Sequence, residues 1–217
     1  MKYVLVLICC FLFHSCSILF PHGVAINPGK YTYNYLSFNK KLDYQEKKYL
    51  LNPTGFSNSN VGGDKNLPFV VSFFENNLGS NVIKTRSYKD SLGKLKIPFY
   101  LDYDISDEQV LFLKENTDLN YLILSKISFL EDFQNGGLTR ANRKLLIGSE
   151  AGAISFIKIL DIQKNEVFLE INCVGTIRLI EERDFYTNET KLQPTTFHKD
   201  SYELGEKAMK KLLRKIK

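Results

Sequence analysis

Tryptophan is absent from the 217 residues, methionine occurs twice, histidine three times and cysteine four times. Each shortage removes a class of protein. Beyond His14, near the amino terminus, only His22, in the tether segment, and His198, before the last helix, are left for a metal site or a catalytic triad, and His198 reads as a solvated surface residue. The phosphate-binding pattern G-x-x-x-x-G-K-[ST] and the zinc-protease pattern H-E-x-x-H do not occur. Ser149, in "IGSEAG", lacks the G-x-S-x-G spacing of a nucleophile elbow, so a flexible loop is expected there. "DYDISDE" (102–108) opens like a calcium loop, yet Asp107 stands where the tight turn needs glycine and Leu113 where a bidentate glutamate belongs. Glu181, Glu182, Arg183 and Asp184 read as a solvated strand end. No catalytic, cofactor or metal-ligating residue is assigned. The net charge of +5, one less if Lys2 is removed, is too mild to imply a nucleic-acid partner. The amino-terminal apolar run, Tyr3 to Phe13, covers eleven residues, well short of the ~20 that cross a bilayer as a helix.

What is present at that end is an export signal: a basic Lys2, the apolar run, then "HSC". Two processing routes fit it. Ser15 and Ser17 supply the small residues that signal peptidase I needs at alternate positions, which would give a secreted chain. The run also resembles a bacterial lipoprotein signal, in which the cysteine after a small residue takes a diacylglycerol on its sulfur and becomes the new amino terminus. Phe13 suits that box and His14 is an unusual neighbour. The expectation is lipidation at Cys16, with residues 1–15 as signal peptide and Cys9 and Cys10 lost with it. Residues 16–30, with Pro and Gly and no sustained period, then form a flexible tether, and 31–217 form a single domain. Cys173 is left alone, so no internal disulfide is expected. The lack of tryptophan with abundant Lys, Asn, Phe, Tyr and Ile suggests an AT-rich bacterial genome.

Within the domain, "YTYNYLSF" (31–38) alternates as a strand does, and 52–66 is a cluster of turn formers that reads as a long loop. "LPFVVSFFENNLG" ends in a glycine that could cap a helix, with an extended segment as the alternative, and "NVIKTRSY" reads as a strand. Ser106 before Asp107 and Glu108 marks the start of a helix over 107–116. "LNYLILSKISFL" is an apolar strand of the kind covered on both faces. In "VFLEINCVGTIRLI" the odd positions Val167, Leu169, Ile171, Cys173, Ile177 and Leu179 are apolar, while Glu170, Asn172, Thr176 and Arg178 alternate with them. With "AISFIKILDIQKNEV" before it and a turn at 163–165, this is an antiparallel hairpin with one solvated face. Leu204, Ala208, Met209, Leu212, Leu213 and Ile216 fall on one stripe of a closing helix. The fold class is α+β, a mixed and largely antiparallel sheet with helices packed on it.

That order of elements over 106–217 resembles the domain shared by the TolB amino-terminal region and the lipoproteins LpoB and CsgG. The segments that carry it are "TDLNYLILSKIS", "FIKILDIQKNEVFLEINCVGTI" and "GEKAMKKLLRKI". The resemblance covers about half the chain and implies an envelope protein that binds other proteins without catalysis. Two regions are candidates for such contact. Residues 134–150 join two strands with Gly-Gly, basic Arg140, Arg143 and Lys144, and apolar Leu145, Leu146 and Ile147. The closing helix carries Lys207, Lys210, Lys211, Arg214, Lys215 and Lys217 with no acid after Glu206. Cations near a helix carboxyl end offset its dipole, and contact with anionic lipid or polymer is the second reading. The expected function is that of a non-catalytic accessory or assembly factor, anchored by lipid at the periplasmic face of the outer membrane. The expected partners are the membrane and an envelope protein, with no cofactor. An envelope hydrolase with a dispersed active site, and a secreted structural or adhesive protein, are the alternatives.

Overall fold

The computed structural model describes residues 24–38, 47–57, 67–130, 149–178, 195–197 and 199–216. The first half contains β1 (Val24–Ile26), β2 (Lys30–Phe38), β3 (Tyr49–Leu51), β4 (Gly55–Phe56), α1 (Pro68–Leu78) and β5 (Val82–Lys84). The second contains α2 (Asp107–Asn116), β6 (Tyr121–Phe129), β7 (Ala151–Asp161), β8 (Glu166–Ile177), β9 (Thr195–Phe197) and α3 (Ser201–Ile216). The fold is α+β. Seven strands form one mixed sheet in the order β2-β8-β7-β6-β3-β5, with β4 also laid on β6, while β1 and β9 pair separately. From β2 to β6 the neighbours are antiparallel; β3, β4 and β5 join in parallel.

Local chemistry explains most boundaries. The Ser106 hydroxyl accepts from the Gln109 N–H at 3.3 Å and the Gln109 side chain accepts from the Ser106 N–H at 3.2 Å, a capping box that opens α2. Pro68 begins α1, and Gly79, at φ 60°, ends it by donating its N–H to the Glu75 carbonyl. At the β7–β8 turn the Asp161 carboxylate accepts from the N–H groups of Gln163 and Lys164, and Asn165 takes φ 55°. The hairpin register runs Ala151↔Ile177 to Asp161↔Glu166, with an irregularity at Ile159/Leu160.

One face of the sheet is covered by α1 and α3, the other by α2 and the segment 88–103. The anticipated stripe of α3 is its buried side, Leu204, Ala208, Met209, Leu212, Leu213 and Ile216. Close seating requires Gly205: a Cβ there would stand 2.6 Å from Ile127 Cγ2, and the Gly205 carbonyl accepts a 2.7 Å bond from Ser155 Oγ.

Several expectations need correction. Asn172 does not face solvent; it is buried between its cross-strand neighbours Asn34 on β2 and Phe156 on β7, and its Oδ1 accepts from Asn34 Nδ2 at 2.8 Å. Val167 is half-exposed, beyond the irregularity. Residues 24–26 are strand within the segment read as tether, and β4 lies within the segment read as loop. β5 stops at Lys84 and gives way to a short helical turn, Thr85–Ser87. β3, not anticipated, lies between β6 and β5 with all three residues buried.

Candidate binding surface

β2 pairs with β8 so that Tyr31 lies opposite Gly175 and Tyr33 opposite Cys173, on the face that carries α3. Two glycines make room for the Tyr31 ring. A Cβ at Gly175 would come within 3.0 Å of Tyr31 Cε1, and one at Gly29 would come within 2.7 Å of Leu204 Cδ2 and 3.1 Å of the Tyr31 hydroxyl. Among the described residues that buried hydroxyl has no hydrogen-bond partner. Burial, with smaller contributions from Cys173 and Glu203, pushes the Tyr31 pKa up to about 12, so the ring is neutral at physiological pH.

Over these rings stand the lysines of α3. Lys207 and Lys211 lie 5.8 and 5.0 Å from the Tyr31 centroid, Lys215 lies 5.4 Å from that of Tyr33, and Lys210 lies 4.7 Å from that of Phe69. Each contact is worth about 0.5–1 kcal/mol at an exposed site and holds an ammonium group in place with its stem along an aromatic face. Acids lie only in the first half of the helix, where Glu203 pairs with Lys199 and Glu206 with Lys210, each at 3.8 Å. An open depression of about 500 Å³ lies along this surface, lined by Lys199, Lys207, Lys210, Lys211 and Arg214 together with the carboxylates of Glu203 and Glu206. The arrangement can hold anionic oxygen in several places without burying any cation.

Two other polar groups are closed on themselves. On the opposite face Tyr103 donates to Glu170 at 2.8 Å, while Lys158 lies 3.7 Å from Glu170 and 4.3 Å from the Tyr103 centroid. Burial raises the Tyr103 pKa far above its ordinary value, so it stays a donor, and the group ties residues 103–104 to the sheet. Near the start of β6, hydrogen bonds from Lys48 and Tyr88 hold the Asp118 carboxyl below the usual range. Cys173 is fully buried; burial pushes its thiol up to about 12 against a small opposing effect of Lys211, which agrees with a core role.

Cys16, His22, His198 and the proposed contact residues Arg140, Arg143, Lys144, Leu145 and Leu146 lie outside the described residues. The cations of α3 were legible as a basic helix. The tyrosines beneath them were legible only as a strand, since nothing local says that β2 pairs with a strand about 140 residues away. No protein-family model and no curated protein matches the chain. Among solved structures, a low similarity is found to the PelC dodecamer from Paraburkholderia phytofirmans in space group P6. The two share 9% identity at a TM-score of 0.34, with 69% of this chain and 83% of that chain covered. A point variant of that dodecamer in space group C2 gives 9% identity and a TM-score of 0.31, with 70% and 83% covered.

Proposed function

We propose that this protein is an accessory or assembly factor of the bacterial cell envelope, anchored by a diacylglycerol on Cys16 and acting through contacts with an envelope protein rather than by catalysis. Its place is the periplasmic face of the outer membrane. One observation supports the reading most: Gly29 is packed against Leu204, so the amino-terminal segment joins the domain beside the first turn of α3. A lipid at Cys16 would then hold the molecule by a defined end. Val24, the first described residue, is eight residues from Cys16, a reach of at most about 28 Å. The layer formed by α2 and the segment 88–103 covers the opposite face of the sheet and offers exposed Leu111, Phe112, Leu95 and Phe99 to a protein partner.

The test is Cys16→Ser. The diacylglycerol is joined as a thioether, and serine has no sulfur for that step. Wild-type protein should label with palmitate and fractionate with membranes; the variant should lose the label, move to the soluble envelope fraction and keep the wild-type melting temperature. Unlabelled, soluble wild-type protein with an amino terminus near Ile18 would overturn the anchored reading.

A further inference from the structure

The lysines of α3 are more numerous and more evenly spread than helix stability asks for. The helix dipole rewards cations only within the last turn, which accounts for Arg214 and Lys215. Lys207 and Lys211, further up the helix, have no carboxylate partner among the described residues and lie instead over Tyr31. Lys207, Lys211 and Lys215 recur every four residues, a line about 12 Å long at 1.5 Å per residue. This line runs beside β2 from the point where the amino-terminal segment enters, since Gly29 meets Leu204, Tyr31 meets Lys207 and Lys211, and Tyr33 meets Lys215.

We propose that this face of α3 docks on anionic phospholipid headgroups of the membrane that carries the Cys16 anchor. The inference rests on the anchored reading above and names what the cationic surface binds. One feature favours a lipid surface over a soluble polyanion, the place of the anchor. The tether brings the membrane to this side of the molecule: Gly29 is packed against Leu204, and Cys16 to Val24 is eight residues, at most about 28 Å when extended, close to the ~24 Å length of a sixteen-residue helix. A basic patch adds to the hold that the two acyl chains of the diacylglycerol give on an anionic surface. Protein–lipid contact through α3 also leaves the α2 face turned away from the membrane.

The experiment uses the processed chain from residue 16 onward carrying Cys16→Ser, so that no lipid contributes. Binding is measured to vesicles of phosphatidylglycerol and phosphatidylethanolamine and to vesicles of phosphatidylcholine. Two charge-matched variants are compared: Lys207→Gln/Lys211→Gln/Lys215→Gln on α3 and Lys89→Gln/Lys94→Gln/Lys96→Gln on the opposite side, where all three lysines are exposed. The expected result is binding to the anionic vesicles that falls about 100-fold in the α3 variant and less than about threefold in the other, with both still folded and unfolding cooperatively at the assay temperature. Equal loss in the two variants would mean that net charge alone acts, and the proposal fails. Binding to heparin with no binding to either vesicle would transfer the surface to a polyanion and overturn the lipid assignment, as would no binding at all. The palmitate result does not enter this measurement, so failure of the anchor and failure of the docking face are read separately.

Discussion

The two helices on opposite faces of the sheet hold their places by different means. α3 spans sixteen residues, buries seven of them and sits on the longest strands, with Gly205 drawn against Ile127 and Ala153. α2 spans ten residues, buries only Val110 and Leu113, and shows Leu111 and Phe112 to solvent. What α2 has instead is a complete capping box. Packing secures the long helix, and local hydrogen bonds supplement the packing of the short one. The cationic, membrane-facing role proposed for α3 therefore falls on the rigid side of the molecule, and the partner surface proposed for α2 on the side more open to local change.

The largest expected effect comes from placing the same charge on each helix. Leu212 is fully buried, whereas Phe112 is 46% exposed. Leu212→Asp buries an unpaired carboxylate and should cost more than about 4 kcal/mol; Phe112→Asp should cost less than about 1 kcal/mol, part of it repulsion from Glu108 one turn away. Urea midpoints measure both. Similar losses would mean that the outer face of α2 is covered, and the contrast would dissolve.

The same contrast governs what the sequence disclosed. α3 and the β7–β8 hairpin were readable because packing against one core imposes a period, and a helix of sixteen residues or a strand of eleven or twelve is long enough to display it. α2 was readable from Ser106, Asp107 and Glu108, since a cap is a local signal. β3 was not: Tyr49–Leu51 are three residues, all buried, and three residues show no period. Asn172 was assigned to solvent because alternation reports which residues share a face and not whether cross-strand neighbours bury a side chain on it; the hydrogen bond from Asn34 depends on β2 lying beside β8. For the same reason the binding surface was half legible, its lysines in the helix sequence and its tyrosines only in the sheet order.

Raising the pH should weaken the α3 side first. Burial beneath α3 shifts the Cys173 thiol from its ordinary 9.0 to about 12. The folded state favours the protonated thiol, so its contribution is intact below pH 9 and is lost as pH climbs from 9 towards 12. At ~1.4 kcal/mol per pH unit the loss reaches roughly 2–3 kcal/mol by pH 11. Tyr31, raised from 10.0 to about 12, adds to it over the upper part of that range. The α2 side shares this sign in Tyr103 and Tyr88, whose pKa values burial raises above the ordinary 10.0, and adds the opposite sign in Asp118, whose lowered pKa contributes stability that is lost as pH falls. Denaturation of wild type and Cys173→Ala at pH 8 and pH 11 isolates the thiol. The variant should lose about 2–3 kcal/mol less between the two, and an identical loss would show that the cysteine ionises as freely folded as unfolded.

The smallest effect tests the cap itself. A ten-residue helix is too short to persist on backbone hydrogen bonds alone, and its first four N–H groups have no partner within it. In α2 the Ser106 hydroxyl satisfies one of them, at Gln109. Ser106→Ala removes that acceptor and should cost about 1 kcal/mol, while Ser106→Gly, which lets water reach the exposed N–H groups, should cost only a few tenths. α3 has a comparable contact, Asp200 accepting from the Glu203 N–H at 2.8 Å. There the seven buried residues hold the helix whether or not the first turn is capped. Hydrogen exchange should therefore quicken along the whole of α2 in Ser106→Ala but only in the first turn of α3 in Asp200→Ala. Protection lost along both helices to the same extent would mean that α3 depends on its end as much as α2 does. Packing would then not be what sets them apart.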